Sequence, residues 1–487
     1  MKLLNNLLAQ SQVLARAGAA DAEISALCYD SRTVESGSCF FAVVGTVTDG
    51  HRFIPMAIER GAAAVVCQQM PEVVDPRVAY VVVEDSEQVM AEMAAAFYDH
   101  PSRELKLVGV TGTNGKTTTA TLLYELVRRL GYRAGLISTV VYKIDDREIT
   151  STHTTPDTIR LNEMLREMVE VGCDYCFMEC SSHAIVQRRT YGLHFTGGLF
   201  SNLTHDHLDY HKTFAEYLKA KKGFFDALPK SAFALTNVDD RNGRVMVQNT
   251  RARIKSYSLR SMADYRCKIV EMHLDGMLLQ LNGRELWSPL TGRFNASNLL
   301  AVYATAVELG FDEEEVMTAL SLLRPVSGRF ECVRADNGLL GVVDYAHTPD
   351  ALENVLQTID EIRGEESSLV VVCGCGGNRD REKRPEMARI AAAHATTTIL
   401  TSDNPRHEDP EAILDEMEQG IPSGSRYLRI TDRAAAIRTA VMLAKAGDVI
   451  LVAGKGHETY QIVGDERHPF DDRAELRKAF EGLASEK

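Results

Sequence analysis

The central part of the chain alternates short apolar runs with longer segments in which apolar residues recur every three to four positions. The run "KLVGVTG" (106–112) precedes a helical pattern that ends at Gly131, and "RAGLIST" (133–139) precedes a helical pattern from Pro156. Another apolar run, "YCFMEC" (175–180), follows. Such alternation predicts parallel strands with helices on both faces of the sheet.

The pattern changes near residue 265. The segment "YRCKIVEMHLDGMLLQLNGRELWSPL" (265–290) carries Asp-Gly and Asn-Gly between apolar runs, which predicts β-hairpins. The helical pattern "NASNLLAVYATAVELG" then ends at Gly310.

A second α/β region begins near Phe330. It has four predicted strands: "LLGVVDYA" (339–346), "SLVVVCGCGG" (368–377), "TTILTSD" (397–403) and "DVILVAGKG" (448–456). Ligands of open α/β sheets bind beyond the carboxyl ends of the strands. We therefore expect site chemistry in the loops that follow these four strands.

The first hundred residues mix short strands, such as "YVVVED" (80–85), with a helical pattern that ends at Pro101. At 487 residues the chain exceeds the roughly 250 to 300 residues that one core can serve. The patterns divide it into three predicted domains, at residues 1–102, 103–329 and 330–487.

Composition narrows the class of protein. Lys and Arg number 54 against 68 Asp and Glu, and this net charge of -14 argues against a general nucleic-acid or anionic-membrane surface. Polar residues interrupt the apolar start, and no apolar stretch reaches the roughly 18 residues that a membrane span needs. We expect a cytoplasmic monomer that neither binds nucleic acid nor inserts into a membrane.

The ten cysteines are scattered, which in a cytoplasmic protein predicts free thiols. The cluster Cys173, Cys176 and Cys180 has a spacing that could suit a metal, but a second Cys-x-x-Cys pair is missing. The segment instead favours a buried strand in which cysteine packs as a small apolar residue.

The segment "GVTGTNGKTTT" lies between a predicted strand and a predicted helix. Glycines such as Gly112 and Gly115 let backbone N–H groups surround phosphate oxygens, Lys116 supplies a positive charge, and the Thr117 hydroxyl can ligate Mg²⁺. The position five before Gly115 is Val110, so the loop departs from the usual P-loop spacing. The sequence predicts a nucleoside triphosphate site.

The loop "TGTNGKTTT" resembles that of the Mur ligases, ATP-dependent amide ligases of peptidoglycan synthesis, and of the related folylpolyglutamate synthetases. The resemblance covers nearly the whole chain and implies a three-domain α/β fold. An N-terminal UDP-binding domain would precede a central P-loop ATPase domain with a mostly parallel sheet and a C-terminal Rossmann-like domain. The implied ATP-binding residues are Gly112, Thr113, Asn114, Gly115, Lys116, Thr117, Thr118, Asn298, Arg329 and Asp344.

Several of these matches imply specific roles. Asn298 in "GRFNASN" would contact the adenine, Arg329 in "SGRFE" would lie at the hinge to the last domain, and Asp344 and His347 in "DYAHTPD" would lie near the ribose and phosphates.

The resemblance also implies two Mg²⁺ ions. His207 in "NLTHDHLDYH" and Glu179 in "MECSSH" match family metal ligands, beside Thr117. Lys221 in "AKKGFF" matches a lysine that CO₂ converts to a metal-supporting carbamate. The implied catalytic set is Lys116, Glu179, His207, Lys221, Arg329 and His347.

Within the family, the resemblance is to the branch that adds the third amino acid of the stem peptide. Residues that would hold UDP-MurNAc-L-Ala-D-Glu are Ser31, Thr154, Thr155, Ser181, Gln187 and Arg189. His153 stands where the best-known relatives have asparagine, so this contact departs from the family pattern.

The last α/β region would bind the incoming amino acid. A second amino-acid head group needs a carboxylate clamp, for which a planar guanidinium suits better than an ammonium, and acceptors for its own ammonium. The implied set is Arg379, Asp403, Asn404, Pro405, Arg406, Gly454 and Glu458. Lysine-adding relatives lack the arginine of the Asn-Pro-Arg run, so the resemblance implies meso-2,6-diaminopimelate.

The predicted activity is ATP-dependent ligation of meso-diaminopimelate to the D-glutamate γ-carboxylate through an acyl phosphate. The alternatives are a lysine-adding enzyme or another amide ligase of the Mur and folylpolyglutamate synthetase group. A third alternative, a nucleotide-binding regulatory or scaffold protein, predicts decay of the phosphate and metal residues, and the sequence shows none.

Overall fold

The computed structural model describes residues 1–45 and 48–485, which fold into three α/β domains. Their principal sheets have five, eleven and six strands, and two short antiparallel pairs accompany them in the described part of the chain. Within the described ranges, no helix is both long and apolar enough to cross a membrane. All ten cysteines are free thiols, and nine are buried, including Cys173, Cys176 and Cys180.

The N-terminal elements are β1 (Lys2–Leu3), α1 (Leu4–Leu7), β2 (Ala15–Gly18), β3 (Glu23–Ile24), β4 (Ala26–Cys28), β5 (Ser38–Phe41), α2 (Ile54–Glu59), β6 (Ala64–Cys67), β7 (Ala79–Val82) and α3 (Ser86–Phe97). The sheet order is β2-β7-β6-β5-β4, parallel except for β2. Separate apolar cores on its two faces explain why β5 and β6 are buried throughout.

The central domain begins with β8 (Lys106–Thr111), α4 (Lys116–Arg129), β9 (Ala134–Ile137), β10 (Val141–Ile144), β11 (Arg147–Thr150), α5 (Thr158–Glu170), β12 (Tyr175–Glu179), α6 (Ser182–Val186) and β13 (Gly197–Phe200). It continues with α7 (Leu208–His211), α8 (Phe214–Asp226), β14 (Phe233–Asn237), α9 (Gly243–Met246), β15 (Arg253–Ser258), β16 (Tyr265–His273), β17 (Gly276–Leu281), β18 (Arg284–Ser288), α10 (Arg293–Glu308) and α11 (Glu313–Ser321).

The central sheet has the order β11-β10-β9-β12-β8-β13-β14-β15-β16-β17-β18. Neighbours from β9 to β16 are parallel, and one core with α4 and α10 and another with α5 and α8 cover its two faces. The predicted Asp-Gly and Asn-Gly hairpins are β16–β17 and β17–β18, and they extend the main sheet. The antiparallel extension at the other edge, β10 and β11, had no counterpart in the sequence prediction.

The C-terminal elements are β19 (Glu331–Arg334), β20 (Leu340–Asp344), α12 (Pro349–Ile362), β21 (Leu369–Cys373), α13 (Lys383–His394), β22 (Thr397–Leu400), α14 (Pro410–Glu418), β23 (Tyr427–Arg429), α15 (Arg433–Leu443), β24 (Val449–Ala453), β25 (Tyr460–Val463), β26 (Glu466–Pro469) and α16 (Asp472–Ser485).

The last sheet has the order β19-β20-β24-β21-β22-β23 and is parallel except for β19. Strand β24 is inserted between β20 and β21, although it is the last of the four predicted strands. The loops after β20, β24, β21 and β22 therefore leave neighbouring strand ends at one edge of the sheet.

Candidate active site

The predicted phosphate loop joins the buried strand β8 to helix α4. Gly115 has φ +85°, and a Cβ added there would lie 2.6 Å from Asn298 Oδ1. A Cβ added to Gly112 would lie 2.0 Å from Ser201 Oγ. Both positions therefore require glycine, which leaves the loop backbone open to a ligand.

Two lysines converge beneath this loop. Lys116 Nζ donates to the carbonyls of Gly112 at 2.9 Å and Thr113 at 2.8 Å, and Lys221 Nζ donates to the same Gly112 carbonyl at 2.7 Å. Lys221 is 1% exposed. Burial and the neighbouring Lys116 hold the pKa of Lys221 well below its usual value, and burial also lowers the pKa of Lys116. The two amines therefore lie together where a phosphate would bind, and Lys221 is the one whose charged form is more strongly disfavoured.

Glu179 ends strand β12 next to β8 and is completely buried. Its carboxylate accepts from the Thr139 backbone N–H at 2.7 Å and the Thr139 hydroxyl at 3.2 Å. Both of these donors are neutral, so the two hydrogen bonds leave the negative charge of Glu179 available to a cation.

His207 lies in a left-handed conformation at the start of α7, with Nε2 3.3 Å from Asp206 Oδ2. Burial lowers the pKa of His207, against the raising effect of Asp206, so the imidazole is neutral at pH 7. A neutral imidazole is the form that ligates metals.

These residues fit a hard cation that takes additional oxygens. In the described ranges, no group of three or more His, Cys, Asp or Glu side chains could hold a metal ion by itself. Mg²⁺ ordinarily keeps waters and takes one or two carboxylates together with substrate phosphates. Glu179 and His207 meet that requirement beside the phosphate loop, whereas the Thr117 hydroxyl accepts a hydrogen bond from Arg329 Nη2 at 3.1 Å.

Arg329 lies at the junction between the central and C-terminal domains. Its guanidinium carbon lies 4.4 Å from the centre of the Tyr345 ring. The next residue, Phe330, donates its backbone N–H to Asp344 Oδ2 at 2.6 Å. Burial raises the pKa of Asp344. His347 Nδ1 lies 2.9 Å from the Tyr345 carbonyl.

The C-terminal domain also touches the phosphate loop directly. Asn114 Nδ2 donates to Asp350 Oδ2 at 2.8 Å, and the Thr204 hydroxyl donates to the same oxygen at 3.4 Å. Lys383 Nζ donates to the His347 carbonyl at 2.9 Å. Asp350 and Lys383 were not identified in the sequence, because each appears there as an ordinary charge in the first turn of a helix.

Asn298 packs against the phosphate loop at Gly115 and lies within 3.4 Å of the Thr119 hydroxyl. One turn earlier in α10, Asn295 lines a cavity of about 400 Å³ together with Leu274 and Phe330. The predicted adenine contact of Asn298 stays a prediction, and the residues that line this cavity include Asn295 but not Asn298.

Most residues predicted to hold the nucleotide dipeptide cluster beyond the end of β12. The Thr155 hydroxyl donates to the Glu179 carbonyl at 2.7 Å, and Arg189 bonds the Thr155 carbonyl and Gln187 Oε1, each at 2.6 Å. Thr154 accepts from the Thr139 hydroxyl at 3.1 Å, and Ser181 caps α6.

Ser31 is the remaining member of this set, and His153 is the position that departs from the family pattern. Ser31 is buried in the N-terminal domain. Burial raises the pKa of nearby Tyr29, the charge of Asp157 raises it further, and the charge of Arg189 opposes the shift. The Tyr29–Ser31 segment therefore faces the central cluster. His153 is exposed, and its ring contacts only Thr152 among the described side-chain partners.

The loops after β21 and β22 bring two arginines together. A Cβ added to Gly376 would lie 2.9 Å from Arg406 Nη1 and 3.7 Å from Arg379 Cγ, so the two side chains flank this glycine. Burial and the charge of Arg379 lower the pKa of Arg406. Across the described residues, neither guanidinium has an acidic partner within salt-bridge distance. Pro405 is buried between Asn404 and Arg406, and Arg406 has φ +52°.

The loop after β24 closes the other side of this pocket. A Cβ added to Gly454 would lie 2.7 Å from Asp403 Oδ2. Glu458 Oε2 accepts from Asn404 Nδ2 at 2.9 Å and from Lys455 Nζ at 2.8 Å, and Lys455 also donates to Asn404 Oδ1 at 3.0 Å. Lys455 was missed in the sequence, although it lies between the predicted residues Gly454 and Glu458.

Three family models match the chain. Residues 23–98 match "Mur ligase family, catalytic domain", 110–306 match "Mur ligase middle domain", and 328–456 match "Mur ligase, glutamate ligase domain".

A Cytophaga hutchinsonii protein named UDP-N-acetylmuramoyl-L-alanyl-D-glutamate--2,6-diaminopimelate ligase is 53% identical over 99% of each chain. A solved structure with the same name is 36% identical, with a TM-score of 0.68 over 95% of each chain. The structure of MurF ligase from Thermotoga maritima in complex with ADP shares the fold at 19% identity, with a TM-score of 0.62 over 94% of this chain and 98% of that one.

Proposed function

The chain belongs to the Mur ligase family, whose members use ATP and Mg²⁺, and we propose that it is the diaminopimelate-adding member. The reaction joins meso-2,6-diaminopimelate to the γ-carboxylate of D-glutamate in UDP-MurNAc-L-Ala-D-Glu. ATP first phosphorylates that carboxylate, and the amine then displaces phosphate from the acyl phosphate.

The observation that carries the choice of amino acid is the pair of arginine side chains flanking Gly376. Arg379 and Arg406 repel each other, and no acidic side chain in the described parts of the chain neutralises them within salt-bridge distance. A carboxylate bound between them would relieve this repulsion and accept charge-assisted hydrogen bonds. Diaminopimelate has such a carboxylate at its distal end, and lysine has none.

The distal ammonium of diaminopimelate would bind beside the same arginines. Asp403 faces Gly454, and Glu458 lies across the pocket beside Asn404. The Glu458 carboxylate already accepts a hydrogen bond from Lys455. We therefore infer that Asp403 and the Gly454 carbonyl accept most of the hydrogen bonds from the ammonium.

Catalysis then depends on positioning and on charge neutralisation. Lys116 would contact the β and γ phosphates. Arg329 would leave the Thr117 hydroxyl and contact the γ phosphate. His347 and Asp344 would contact the ribose and the phosphates. The adenine would enter the cavity beside Asn295, near Asn298. Mg²⁺, held by Glu179, His207 and Thr117, would neutralise phosphate charge and polarise the transferring phosphoryl group.

Thr154, Thr155, Ser181, Gln187 and Arg189 would place the dipeptide carboxylate next to Glu179 and the phosphate loop. Ser31 would contact the UDP-muramoyl part from the N-terminal domain. Binding the anionic nucleotide in an acidic domain would depend on backbone N–H groups and hydroxyls.

We further propose that Lys221 is carbamylated by CO₂. Its amine shares one carbonyl with Lys116 and has no ion-pair partner in the described ranges. Its lowered pKa favours the neutral amine that attacks CO₂. The resulting anion would lie beside the Lys116 ammonium and support the metal, and the proton released from the amine would pass to solvent.

The carbamate has a direct spectroscopic test. Enzyme in [¹³C]bicarbonate should show a carbamate carbon signal that is lost in Lys221→Met. The signal should persist in Lys222→Met, whose native side chain pairs instead with Asp226 at 2.6 Å. A signal unchanged by Lys221→Met would assign any carbamate elsewhere.

We assign the domains to residues 1–102, 103–329 and 330–487, of which 46, 47, 486 and 487 lie outside the described residues. The substrates are small molecules of the cytoplasm, and we propose that the enzyme works there as a monomer.

The activity is tested by product identity. The chain should release ADP and phosphate only when the nucleotide dipeptide and an amino acid are both present, and should form the tripeptide with diaminopimelate rather than lysine or ornithine. ATP hydrolysis indifferent to both substrates would refute ligation, and a preference for lysine would support the lysine-adding alternative.

A further inference from the structure

Tyr345 follows strand β20 directly and is partly buried between the two halves of the site. One face of its ring lies against Arg329, whose guanidinium carbon is 4.4 Å from the ring centre. The ring also lies 4.7 Å from His347 and 5.0 Å from His457, measured between ring centres. Tyr345 therefore touches side chains from the hinge, from its own loop and from the loop after β24.

On the nucleotide side, the contact continues through Arg329. Its Nη2 donates to the Thr117 hydroxyl at 3.1 Å, and Thr117 lies in the first turn after the phosphate loop. Arg329 Nε is buried without a hydrogen-bond partner in the described part of the molecule. The position of this guanidinium therefore depends strongly on the ring beneath it.

On the amino-acid side, the loop after β24 packs tightly on the same elements. A Cβ added to Gly456 would lie 2.7 Å from Tyr345 Cβ and 2.6 Å from the Gly328 carbonyl oxygen. A Cβ added to Gly328 would lie 2.0 Å from the His457 backbone nitrogen. The backbones of this loop and of the hinge are thus in contact with no intervening side chain.

The far end of that loop belongs to the amino-acid pocket. Glu458 bonds Asn404, and Gly454 faces Asp403. The charges of Glu458 and Asp403 also raise the pKa of Tyr345, after the larger effect of burial. If a bound amino acid displaced this loop, the Tyr345 ring would move with it, because the loop and the ring are in direct contact.

We propose that Tyr345 is a positioning residue that couples occupancy of the amino-acid pocket to the placement of Arg329 at the nucleotide. The proposal rests on the proposed function of both sites. The ring acts through its face: a bound amino acid fixes the loop after β24, the loop fixes Tyr345, and Tyr345 fixes the Arg329 guanidinium. ATP should therefore bind more tightly to the protein that holds the amino acid, and the amino acid should bind more tightly to the protein that holds ATP.

The test is a binding cycle rather than an activity loss. Titration calorimetry measures the Kd of a non-hydrolysable ATP analogue with Mg²⁺ and the nucleotide dipeptide present, with and without saturating diaminopimelate. The wild-type protein should bind the analogue at least about fivefold more tightly with diaminopimelate, the lower end of typical coupling between sites. Tyr345→Leu should reduce this factor below about twofold, and Tyr345→Phe should retain it because its ring face is intact.

Two further variants complete the design. Tyr265 lies in strand β16, and its ring centre is 6.0 Å from Lys255 Nζ. Tyr265→Leu removes this ring and should keep the wild-type coupling factor. Tyr345→Met replaces Tyr345→Leu if the leucine variant does not fold, because it keeps volume without an aromatic face.

Full coupling in Tyr345→Leu, or equal losses in Tyr345→Leu and Tyr345→Phe, would overturn the role of the ring face. Absence of coupling in the wild type would also overturn it. Tripeptide formation by the same wild-type preparation when it is supplied with ATP would leave the proposed function standing, so the two failures are distinguishable.

Discussion

The buried ion pair between Arg433 and Asp472 should determine the stability of the C-terminal domain. Both side chains are 0% exposed, with Arg433 Nε and Nη2 each 2.7 Å from Asp472 carboxylate oxygens. Arg433 also donates to the Ala453 carbonyl at 2.9 Å and the Ser402 carbonyl at 3.4 Å, at the ends of two strands that lead into the proposed amino-acid pocket. The pair therefore anchors two pocket loops to helices α15 and α16.

Asp472→Asn removes the negative charge and keeps the side-chain shape. Removing one partner of a buried ion pair costs about 3 to 5 kcal/mol, because the remaining charge is left uncompensated. At about 2 to 4 °C per kcal/mol for a domain of 150 to 250 residues, the corresponding transition should fall by roughly 6 to 20 °C.

The preceding residue supplies a matched control. Asp471 pairs with Arg473 at 2.6 Å, but its side chain is 25% exposed, and exposed pairs contribute about 0 to 1 kcal/mol. Differential scanning calorimetry of Asp471→Asn and Asp472→Asn measures the difference. Losses that agree within about 1 kcal/mol would refute the assignment of this buried pair as the anchor.

Three further outcomes follow from the same contacts. Burial and Lys383 lower the pKa of His347 to about 4, so the folded protein favours the neutral imidazole. The stability of the fold should therefore fall as pH drops from about 6.5 towards 4. His347→Gln should flatten this part of the Tm-against-pH curve, and an unchanged slope would contradict the prediction. Gly328→Ala should lower ligation and Tm because its Cβ meets His457, whereas Gly310→Ala, with φ +91° and nothing within 4 Å, controls for backbone strain alone; equal effects would contradict a steric cause. Asp350→Ala removes the acceptor of the Asn114 hydrogen bond, which contributes about 0.5 to 1.5 kcal/mol. The variant should therefore bind an ATP analogue roughly three- to tenfold more weakly. An unchanged affinity by calorimetry would contradict the role of this contact.

The phosphate loop and the strands around it could be predicted because their chemistry is local. Glycines next to Lys116 and Thr117, between an apolar run and a helical pattern, indicate the same site in sequence and in structure. Four of the six strands in the last sheet were also predicted, since each of the four is a short apolar run with turn residues after it.

The long-range partners could not be predicted. Asp350 reaches Asn114 across 236 residues, and Arg433 reaches Asp472 across 39, while each appears in sequence as an ordinary charge on a helix. The insertion of β24 between β20 and β21 is a property of topology, yet it brings Gly454 opposite Asp403. Periodicity indicates which face of an element is buried, but not which distant element covers it.

Recognition of the distal carboxylate by Arg406 and Arg379 is the central claim, and amino-acid selectivity tests it most directly. The measurement is the ratio of kcat/KM for meso-diaminopimelate to that for L-lysine, in the wild-type enzyme and in Arg406→Ala. Two charge-assisted hydrogen bonds of about 1.5 to 3 kcal/mol each predict a wild-type ratio on the order of 10² to 10⁴. Arg406→Ala should lower the ratio by about 10- to 100-fold with little change for lysine, whereas a wild-type preference for lysine, or an unchanged ratio in the variant, would contradict the account.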